Sequence, residues 1–426
     1  MARRQADHII VIGAGAAGLM AARELGRAGK SVTILEARDR CGGRIDPLPV
    51  SEFGYRAEGG AEFVHGEAPV TRRLSAEAGL SMAPIDGARC NVRQGVFSRD
   101  ETPAHHDDEL YRVLSELTSD MTVTAFLDRY FAGPHFLPLR HSVIRMVMGY
   151  DAADPERASV LALREEWMHS GRSQQARIVG GYGGLIDFLV ADCQKHGADL
   201  HLQAAVDAVE TIDAGVLVRC RDGSGYRGDA VILTVPLPLL QKIVLPPVMR
   251  DKVAAAAQIG FGNVIKLLLR FEHRWWTDIK GNDLSDMLFV LSDQVVPVWW
   301  TQRPTGHAVL TGWLAGPPTR SSAELDESQL IAAGLASLAG IFGRSSEQLK
   351  AELVAARAIN WANDPFARGA YSYATLATRR AQAELASWDG GAVLLSGEAL
   401  YQGRDMGTVE AALASGLETA RTILGR

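Results

Sequence analysis

Three glycines with the spacing Gly-x-Gly-x-x-Gly occupy residues 13–18 (GAGAAG), and an acidic residue, Glu36, follows at the end of the next strand pattern. In such a turn the first glycine permits a tight bend, and the second lets backbone N–H groups approach a pyrophosphate at a helix N-terminus. The third lets the helix pack closely on the preceding strand. Glu36 can accept hydrogen bonds from a ribose and would repel a 2′-phosphate. The spacing predicts a site for a dinucleotide that lacks this phosphate.

A second glycine-rich stretch at residues 36–44 (EARDRCGGR) indicates which dinucleotide binds. Glycine lets the backbone approach a ligand closely. Such a backbone beside Arg44 suits the ribityl-pyrophosphate and ring of an extended FAD. The residues alone favour FAD and leave NAD as the alternative.

Three further side chains are of types that carry proton or amine chemistry. Lys266 lies in an apolar strand pattern, where it points either to solvent or into a buried site. His65, among apolar neighbours, titrates near neutrality and can bind an amine or take a proton; a bond to backbone alone is the equal alternative. The ring face of Tyr371 attracts cations. Four large aromatic side chains are predicted to lie mainly in the core: Trp167, Trp299, Trp300 and Trp313.

Strand and helix patterns define the elements that must position these residues. A strand at 8–12, a helix at 17–28 and a strand at 31–35 predict a β-α-β unit. Residues 70–175 show mostly helical periodicity, and residues 260–315 have the pattern of long strands. A pattern of short strands and helices like that of residues 8–35 returns at residues 178–240 and near the C-terminal end.

The predicted fold class is therefore α/β, with a Rossmann-like FAD-binding domain and a second, substrate-binding domain of mixed sheet plus helices. We expect the FAD-binding domain to be discontinuous. Its predicted segments are residues 1–80, 176–240 and 355–426, and those of the substrate-binding domain are residues 81–175 and 241–354.

Composition excludes several other classes of protein. The 426 residues are 47% hydrophobic and 22% charged, with a formal net charge of −6 and no basic block, so no nucleic-acid partner is expected. Four cysteines without a CxxC spacing predict neither disulfides nor a zinc site. Residues 105–108 (HHDD) are expected to form a solvated loop and helix start rather than a metal site. Without a secretory signal or an apolar membrane span, we expect a cytoplasmic protein with no membrane partner.

Several motifs in a fixed order resemble the flavin-containing amine oxidases, a family of monoamine and polyamine oxidases, histone demethylases and L-amino-acid oxidases. After residues 13–44 they are GGAEFVHG at 59–66, GGYGGL at 180–185, NVIK at 263–266, GAYS at 369–372 and GTVEAA at 407–412. The resemblance implies FAD as cofactor. It implies catalytic roles for Lys266, Tyr371 and His65, with the lysine holding a water against flavin N5. The cofactor-binding residues that it implies, together with the glycine turn, are Gly13, Gly15, Ala16, Ala17, Gly18, Glu36, Ala37, Arg38, Gly43, Arg44, Gly60, Ala61, Glu62, Val206, Trp361, Gly397, Glu398, Gly407, Thr408 and Val409.

Some residues depart from the family pattern, and these departures restrict how the flavin is expected to be bound and which substrates are expected. Monoamine oxidases attach the flavin to a cysteine where this chain has Ala370, so the FAD is expected to be noncovalent. Monoamine oxidases hold the amine between two aromatic residues. Tyr371 matches one of them, but Thr408 stands at the position of the other, so half of this cage is missing. Polyamine oxidases often have a glutamate at the position of His65, which argues against a polycationic substrate. We also expect neither the chromatin-docking domain nor the long helical insertion of histone demethylases.

The resemblance implies an oxidase for which an amine and O2 are the reaction partners, in a monomer or homodimer. A hydride passes from the amine α-carbon to flavin N5, and the imine hydrolyses to a carbonyl compound plus ammonia or an amine, with H2O2 as the second product. An L-amino-acid oxidase is the nearest alternative and would need an arginine such as Arg72, Arg73 or Arg89 to hold a carboxylate. A flavin desaturase or porphyrinogen oxidase with the same fold is a second alternative, and the presence of Lys266 argues against it. A noncatalytic FAD-bound regulatory protein is the alternative of another class.

Overall fold

The computed structural model describes residues 7–93, 95–99, 107–170, 175–279, 281–388 and 391–425. The strands are β1 (His8–Ile12), β2 (Ser31–Leu35), β3 (Met82–Pro84), β4 (Ala88–Arg93), β5 (Val96–Arg99), β6 (Ala176–Ile178), β7 (Asp199–His201), β8 (Val206–Ile212), β9 (Gly215–Cys220), β10 (Gly225–Gly228), β11 (Ala230–Leu233), β12 (Gly260–Phe261), β13 (Val264–Phe271), β14 (Asp278–Ile279), β15 (Asn282–Asp283), β16 (Met287–Ser292), β17 (Val298–Thr301), β18 (Val309–Ala315), β19 (Leu353–Asn360), β20 (Ser372–Tyr373) and β21 (Val393–Leu395). The α-helices are α1 (Ala16–Arg27), α2 (Val50–Phe53), α3 (Pro69–Glu77), α4 (Asp107–Glu116), α5 (Val123–Tyr130), α6 (Leu137–Gly149), α7 (Val160–Ser170), α8 (Gly183–Lys195), α9 (Leu237–Leu240), α10 (Arg250–Ala256), α11 (Glu327–Phe342), α12 (Ser346–Ala351), α13 (Thr378–Ala386) and α14 (Val409–Leu424).

Five strands form a parallel sheet in the order β21-β11-β1-β2-β7. Its central strand, β1, is almost wholly apolar, and its side chains alternate between the two faces. Ile9 and Val11 pack with residues of α1, α8 and α14, whereas Ile10 and Ile12 pack with residues of the three-stranded sheet β10-β9-β8. A strand buried on both faces is typical of a doubly covered parallel sheet. The predicted α/β fold with a Rossmann-like sheet is confirmed.

The second large sheet has seven strands in the order β19-β13-β18-β17-β16-β4-β5. All its pairs are antiparallel except β16 with β4. In β13, Ile265, Leu267 and Leu269 pack into a core that includes residues of α11. Because successive strand residues point to opposite faces, the side chain of Lys266 lies on the other face of the sheet, away from that core.

The helices α4 to α7 form a lobe with its own apolar core, in which Leu114, Phe126 and Val147 are fully or almost fully buried. Within this lobe, α6 contacts β18 of the larger sheet. The lobe therefore carries the residues that follow α6, and those on α7, to the open face of the sheet. No helix in the described ranges is both long and apolar enough to cross a membrane.

The sequence patterns did not predict several of the strands. Residues 82–99, assigned to a mostly helical stretch, contain β3, β4 and β5, and β19 was not predicted. β4 pairs with the distant β16 and β3 with β6, so partners far along the chain stabilise these short strands rather than any local pattern. The domain boundary predicted at residue 355 falls inside β19, which pairs with β13. The other predicted boundaries stay a proposal, and residues 105 and 106 of the HHDD stretch lie outside the described residues.

Candidate active site

A continuous cavity of 1390 Å³ runs from the glycine turn after β1 to the open face of the seven-stranded sheet. A pocket for one small molecule ordinarily measures about 300–1,000 Å³. The space is therefore sufficient for an extended cofactor and a substrate beside it. All but one of the residues predicted to bind the cofactor line it; the exception is Gly18.

Gly18 has the packing role that the spacing predicted for the third glycine of the turn. A Cβ at Gly18 would lie 1.9 Å from the carbonyl oxygen of Gly13, so only glycine lets α1 begin this close to the turn. Gly13 itself has φ of +106°, a conformation that favours glycine. The turn therefore leaves the N-terminus of α1 facing the cavity, as pyrophosphate binding requires.

Glu36 is held in place by backbone donors at the end of β2. It is 4% exposed; its Oε2 accepts the N–H of Ala14 at 2.8 Å and its Oε1 accepts the N–H of Arg38 at 2.9 Å. A carboxylate has about four acceptor positions, so two remain toward the cavity. The Arg38 side chain donates to Asp364 at 2.6 Å and lies over Phe366, which fixes the edge of this part of the site.

The opposite end of the cofactor region is closed by an ion pair and by the start of α14. Arg44 donates to Glu398 at 2.9 Å, and Ser372 donates a second hydrogen bond to the same carboxylate. Thr408 caps α14 by accepting the N–H of Ala411 at 3.1 Å. The structure thus places a helix N-terminus at each end of the cofactor region, where anionic or electron-rich groups are stabilised.

These features fit the flavin dinucleotide FAD. The two helix N-termini and the carboxylate of Glu36 supply the donors and acceptors that a dinucleotide needs. Ala370, from which noncovalent binding is expected, lines the cavity, and none of the four cysteines does. Noncovalent binding stays a prediction.

Lys266 is completely buried at the wall of the cavity, so the alternative of a solvent-facing lysine is wrong. Its Nζ donates to the carbonyl oxygen of Gly60 and to Oε2 of Glu62, each at 2.9 Å. It also lies 5.5 Å from the ring centre of Trp300. An ammonium has three protons, so one is left to donate to a molecule in the cavity.

Glu62 joins Lys266 to a second buried cation. Its Oε1 lies 3.0 Å from the guanidinium of Arg177, and the indole N–H of Trp300 donates to it at 3.1 Å. Burial, the largest single effect, raises the pKa of Glu62, but the charges of Lys266 and Arg177 and the hydrogen bonds from Lys266 and Trp300 together lower it below its usual value. The carboxylate is therefore ionised, and this cluster of one anion and two cations carries a net positive charge.

Aromatic side chains and His65 form the substrate end of the cavity. The hydroxyl of Tyr150 is 2.9 Å from Nδ1 of His65, and the hydroxyl of Tyr371 donates to the backbone oxygen of Tyr150. Burial lowers the pKa of His65 to about 4, so the imidazole is neutral near pH 7. As predicted, Trp167, Trp299 and Trp300 are buried in the core, and Trp313 is partly buried against it. Three of these four also line the cavity: Trp167, Trp300 and Trp313.

Sequence reasoning missed three carboxyl groups that line the same end. Asp151 follows α6, Glu166 lies on α7 and Asp405 precedes α14. Burial and then the charge of Glu166 raise the pKa of Asp151, and burial raises that of Glu166. The three residues belong to distant segments and to no motif, so no sequence signal groups them. In the described part of the chain, no set of His, Cys, Asp and Glu side chains is arranged to hold a metal ion.

Of the three arginines considered for binding a substrate carboxylate, the fold places one at the cavity and two away from it. Arg89 on β4 lines the cavity, with its guanidinium 5.8 Å from the ring centre of Phe289. Arg72 donates to the backbone of Glu67, and Arg73 lies 3.6 Å from Glu77 on the same helix. Neither of these two lines the cavity. Arg89 is thus the candidate of the three that can meet a ligand.

Residues 16–424 match the family described as flavin containing amine oxidoreductase. The chain therefore belongs to the flavin-containing amine oxidoreductase family. Among curated relatives, it is 29% identical to lysine-specific histone demethylase 2 of Homo sapiens, over 97% of this chain and 53% of the relative. It is 27% identical to polyamine oxidase 4 of Oryza sativa subsp. japonica, over 85% of this chain and 78% of the relative. The chain spans about half the length of the histone demethylases that it matches.

Solved structures show the same fold. Wild-type putrescine oxidase bound to putrescine superposes with a TM-score of 0.81 at 21% identity, over 99% of both chains. Cyclohexylamine oxidase from Brevibacterium oxydans IH-35A gives a TM-score of 0.78 at 20% identity, over 99% of this chain and 100% of that chain. At this identity the similarity establishes the fold alone.

Proposed function

We propose that the protein is an FAD-dependent amine oxidase that binds FAD noncovalently. An amine, O2 and water are converted to a carbonyl compound, ammonia or an amine, and H2O2. The observation that carries the proposal is the position of buried Lys266, between the cofactor region and the aromatic substrate end of one cavity. Family membership and the polyamine oxidase among the curated relatives support it. When bound, FAD would accept the hydride from the α-carbon of the amine.

The protein residues provide orientation and proton management. Lys266 has one proton free of Gly60 and Glu62, and we propose that it holds a water in the cavity for the oxygen half-reaction. His65 is neutral, so it does not repel a substrate ammonium. In the tautomer whose Nδ1–H donates to Tyr150, its Nε2 accepts a hydrogen bond from the substrate amine.

Tyr371 and the tryptophans of the cavity confine the substrate. The ring of Tyr371 is fixed because its hydroxyl donates to the backbone of Tyr150. An aromatic face attracts an amine in its cationic form and packs against its alkyl chain. These walls also exclude water from the place where the C–H bond is broken.

Oxidation of L-amino acids is a second candidate, favoured by the position of Arg89. Its guanidinium is available in the cavity to bind a carboxylate bidentately. Arg89→Met would then lower kcat/KM for amino acids while leaving simple amines unaffected. An equal effect on both substrate classes would contradict this second candidate.

The proposed function is tested by screening monoamines, diamines, polyamines and L-amino acids with a peroxide-coupled assay. Catalase should abolish the signal. Anaerobic bleaching of the flavin absorbance by the same compounds checks that the substrate reduces the cofactor directly. A folded, FAD-loaded protein whose flavin is bleached by none of these classes would be a noncatalytic FAD-binding protein instead.

A further inference from the structure

The carboxyl groups near Tyr371 differ from the other carboxyl groups that line the cavity, those of Glu36, Glu62 and Glu398, in how their charge is compensated. Glu62 is paired with two cations, as described above. In contrast, neither Asp151 nor Glu166 forms an ion pair with a lysine, arginine or histidine among the residues that the structure describes. Among the described residues of the cavity, Glu36, Glu62 and Glu398 thus each lie near a lysine or arginine, whereas Asp151 and Glu166 lack a counter-ion.

Asp151 supplies an independent sign that this site is incomplete. It is 8% exposed, lines the cavity, and has an Oδ2 without any hydrogen-bond partner in the described ranges. A buried carboxylate oxygen without a donor is costly, and most such atoms in folded proteins are satisfied. A ligand that donates hydrogen bonds from the cavity would remove this cost.

Asp151 and Glu166 both line the cavity that contains Tyr371, and Asp405 lines it as well. Neighbouring carboxyl groups cannot all ionise easily without a cation among them. The raised pKa values of both groups agree with such a pair. An ammonium carries a positive charge and three N–H donors, so it can satisfy both groups at once.

We propose that Asp151 and Glu166, with Asp405 beside them, bind a second ammonium group of the substrate, which makes the preferred substrates diamines or longer polyamines. The inference rests on the proposed oxidase function, since it places the distal charge of a molecule whose other amine is oxidised. The proposal reverses the expectation, drawn from His65, that the substrate is not a polycation. The cation is held by residues of α7 and of two loops, not by the segment that contains His65.

Pairs of linear amines that differ at one end provide the test: putrescine with n-pentylamine, and cadaverine with n-hexylamine. In each pair a methyl group replaces the second ammonium at nearly constant length. Stopped-flow measurement of flavin reduction should show a preference of about tenfold to hundredfold for the diamine. The double variant Asp151→Asn/Glu166→Gln should lose most of this preference, because its rate constant with the diamine falls much more than its rate constant with the monoamine.

Glu165→Gln is the matched control, because Glu165 precedes Glu166 on α7 but is 40% exposed and ion-paired with Arg379. It should keep the diamine preference of the wild type. If the double variant does not retain FAD, Asp151→Asn and Glu166→Gln are measured singly, and each should lose part of the preference. An equal loss for both amines of a pair overturns the inference.

Calorimetry on the enzyme with its FAD reduced by dithionite measures binding when no turnover can occur. Tighter binding of putrescine than of n-pentylamine, lost in the double variant, supports the cation site even if no amine is oxidised. In that case only the proposed oxidase function fails. Equal affinity of the reduced wild-type enzyme for the two amines overturns the inference, whatever the activity screen shows.

Discussion

Replacing Lys266 with methionine removes one of the two cations that neutralise Glu62 inside the protein. Lys266 is 0% exposed, and its Nζ lies 2.9 Å from the Glu62 carboxylate. Removing one partner of a buried ion pair costs about 3–5 kcal/mol when the remaining charge is left alone. Arg177, 3.0 Å from Glu62, and the indole N–H of Trp300 remain as partners. We therefore expect the free energy of unfolding to fall by about 2–3 kcal/mol.

Urea unfolding of the protein at a fixed excess of FAD measures this loss, since bound ligand contributes to the apparent stability. Lys350→Met is the control, because Lys350 is an exposed lysine near the end of α12, and its replacement should change the stability by less than about 0.5 kcal/mol. If Lys266→Met proves as neutral as Lys350→Met, the buried ion pair does not stabilise the fold and the reasoning fails.

The same substitution should affect the two half-reactions unequally. Reoxidation of the reduced flavin by O2 should slow by about tenfold or more, because the proton that Lys266 presents to the cavity is lost. Reduction of the flavin by substrate should change less, since hydride transfer needs no proton from the lysine. Stopped-flow spectroscopy separates the two steps. Unchanged rates for both in a folded variant would remove Lys266 from the mechanism.

Three further predictions concern the cofactor and the protonation of the site. Acid denaturation should release the flavin into the supernatant, because Ala370 stands at the attachment position; flavin that stays with the precipitate would refute noncovalent binding. Glu36→Ala should weaken FAD binding about tenfold to hundredfold in an equilibrium titration, since charge-assisted bonds to the ribose are lost; unchanged affinity would show that Glu36 does not contact the cofactor. The lowered pKa of His65 means that its contribution to stability is complete above pH 6.5 and is lost as the pH falls toward 4. His65→Gln should therefore make the unfolding free energy fall less steeply over that range, and parallel pH profiles of variant and wild type would contradict the assignment.

The sequence by itself determined the dinucleotide end of the site. The glycine turn, α1 and β2 are adjacent in the chain, and Glu36 lies at the end of β2, so local spacing fixes their geometry. Gly18, the third glycine of the turn, packs α1 against Gly13, as the spacing predicted, because a side chain there would meet the Gly13 carbonyl oxygen.

Only the tertiary structure decided the charges of the substrate end. The pairing of Lys266 with Glu62 joins residues about 200 positions apart, as the register of β13 in its sheet and the path of the segment after Gly60 bring them together. Asp151 and Glu166 line the same cavity because the helical lobe packs against the same sheet. Burial and long-range contacts determine whether a carboxylate is neutralised or left for a ligand, and neither quantity is encoded in a local pattern.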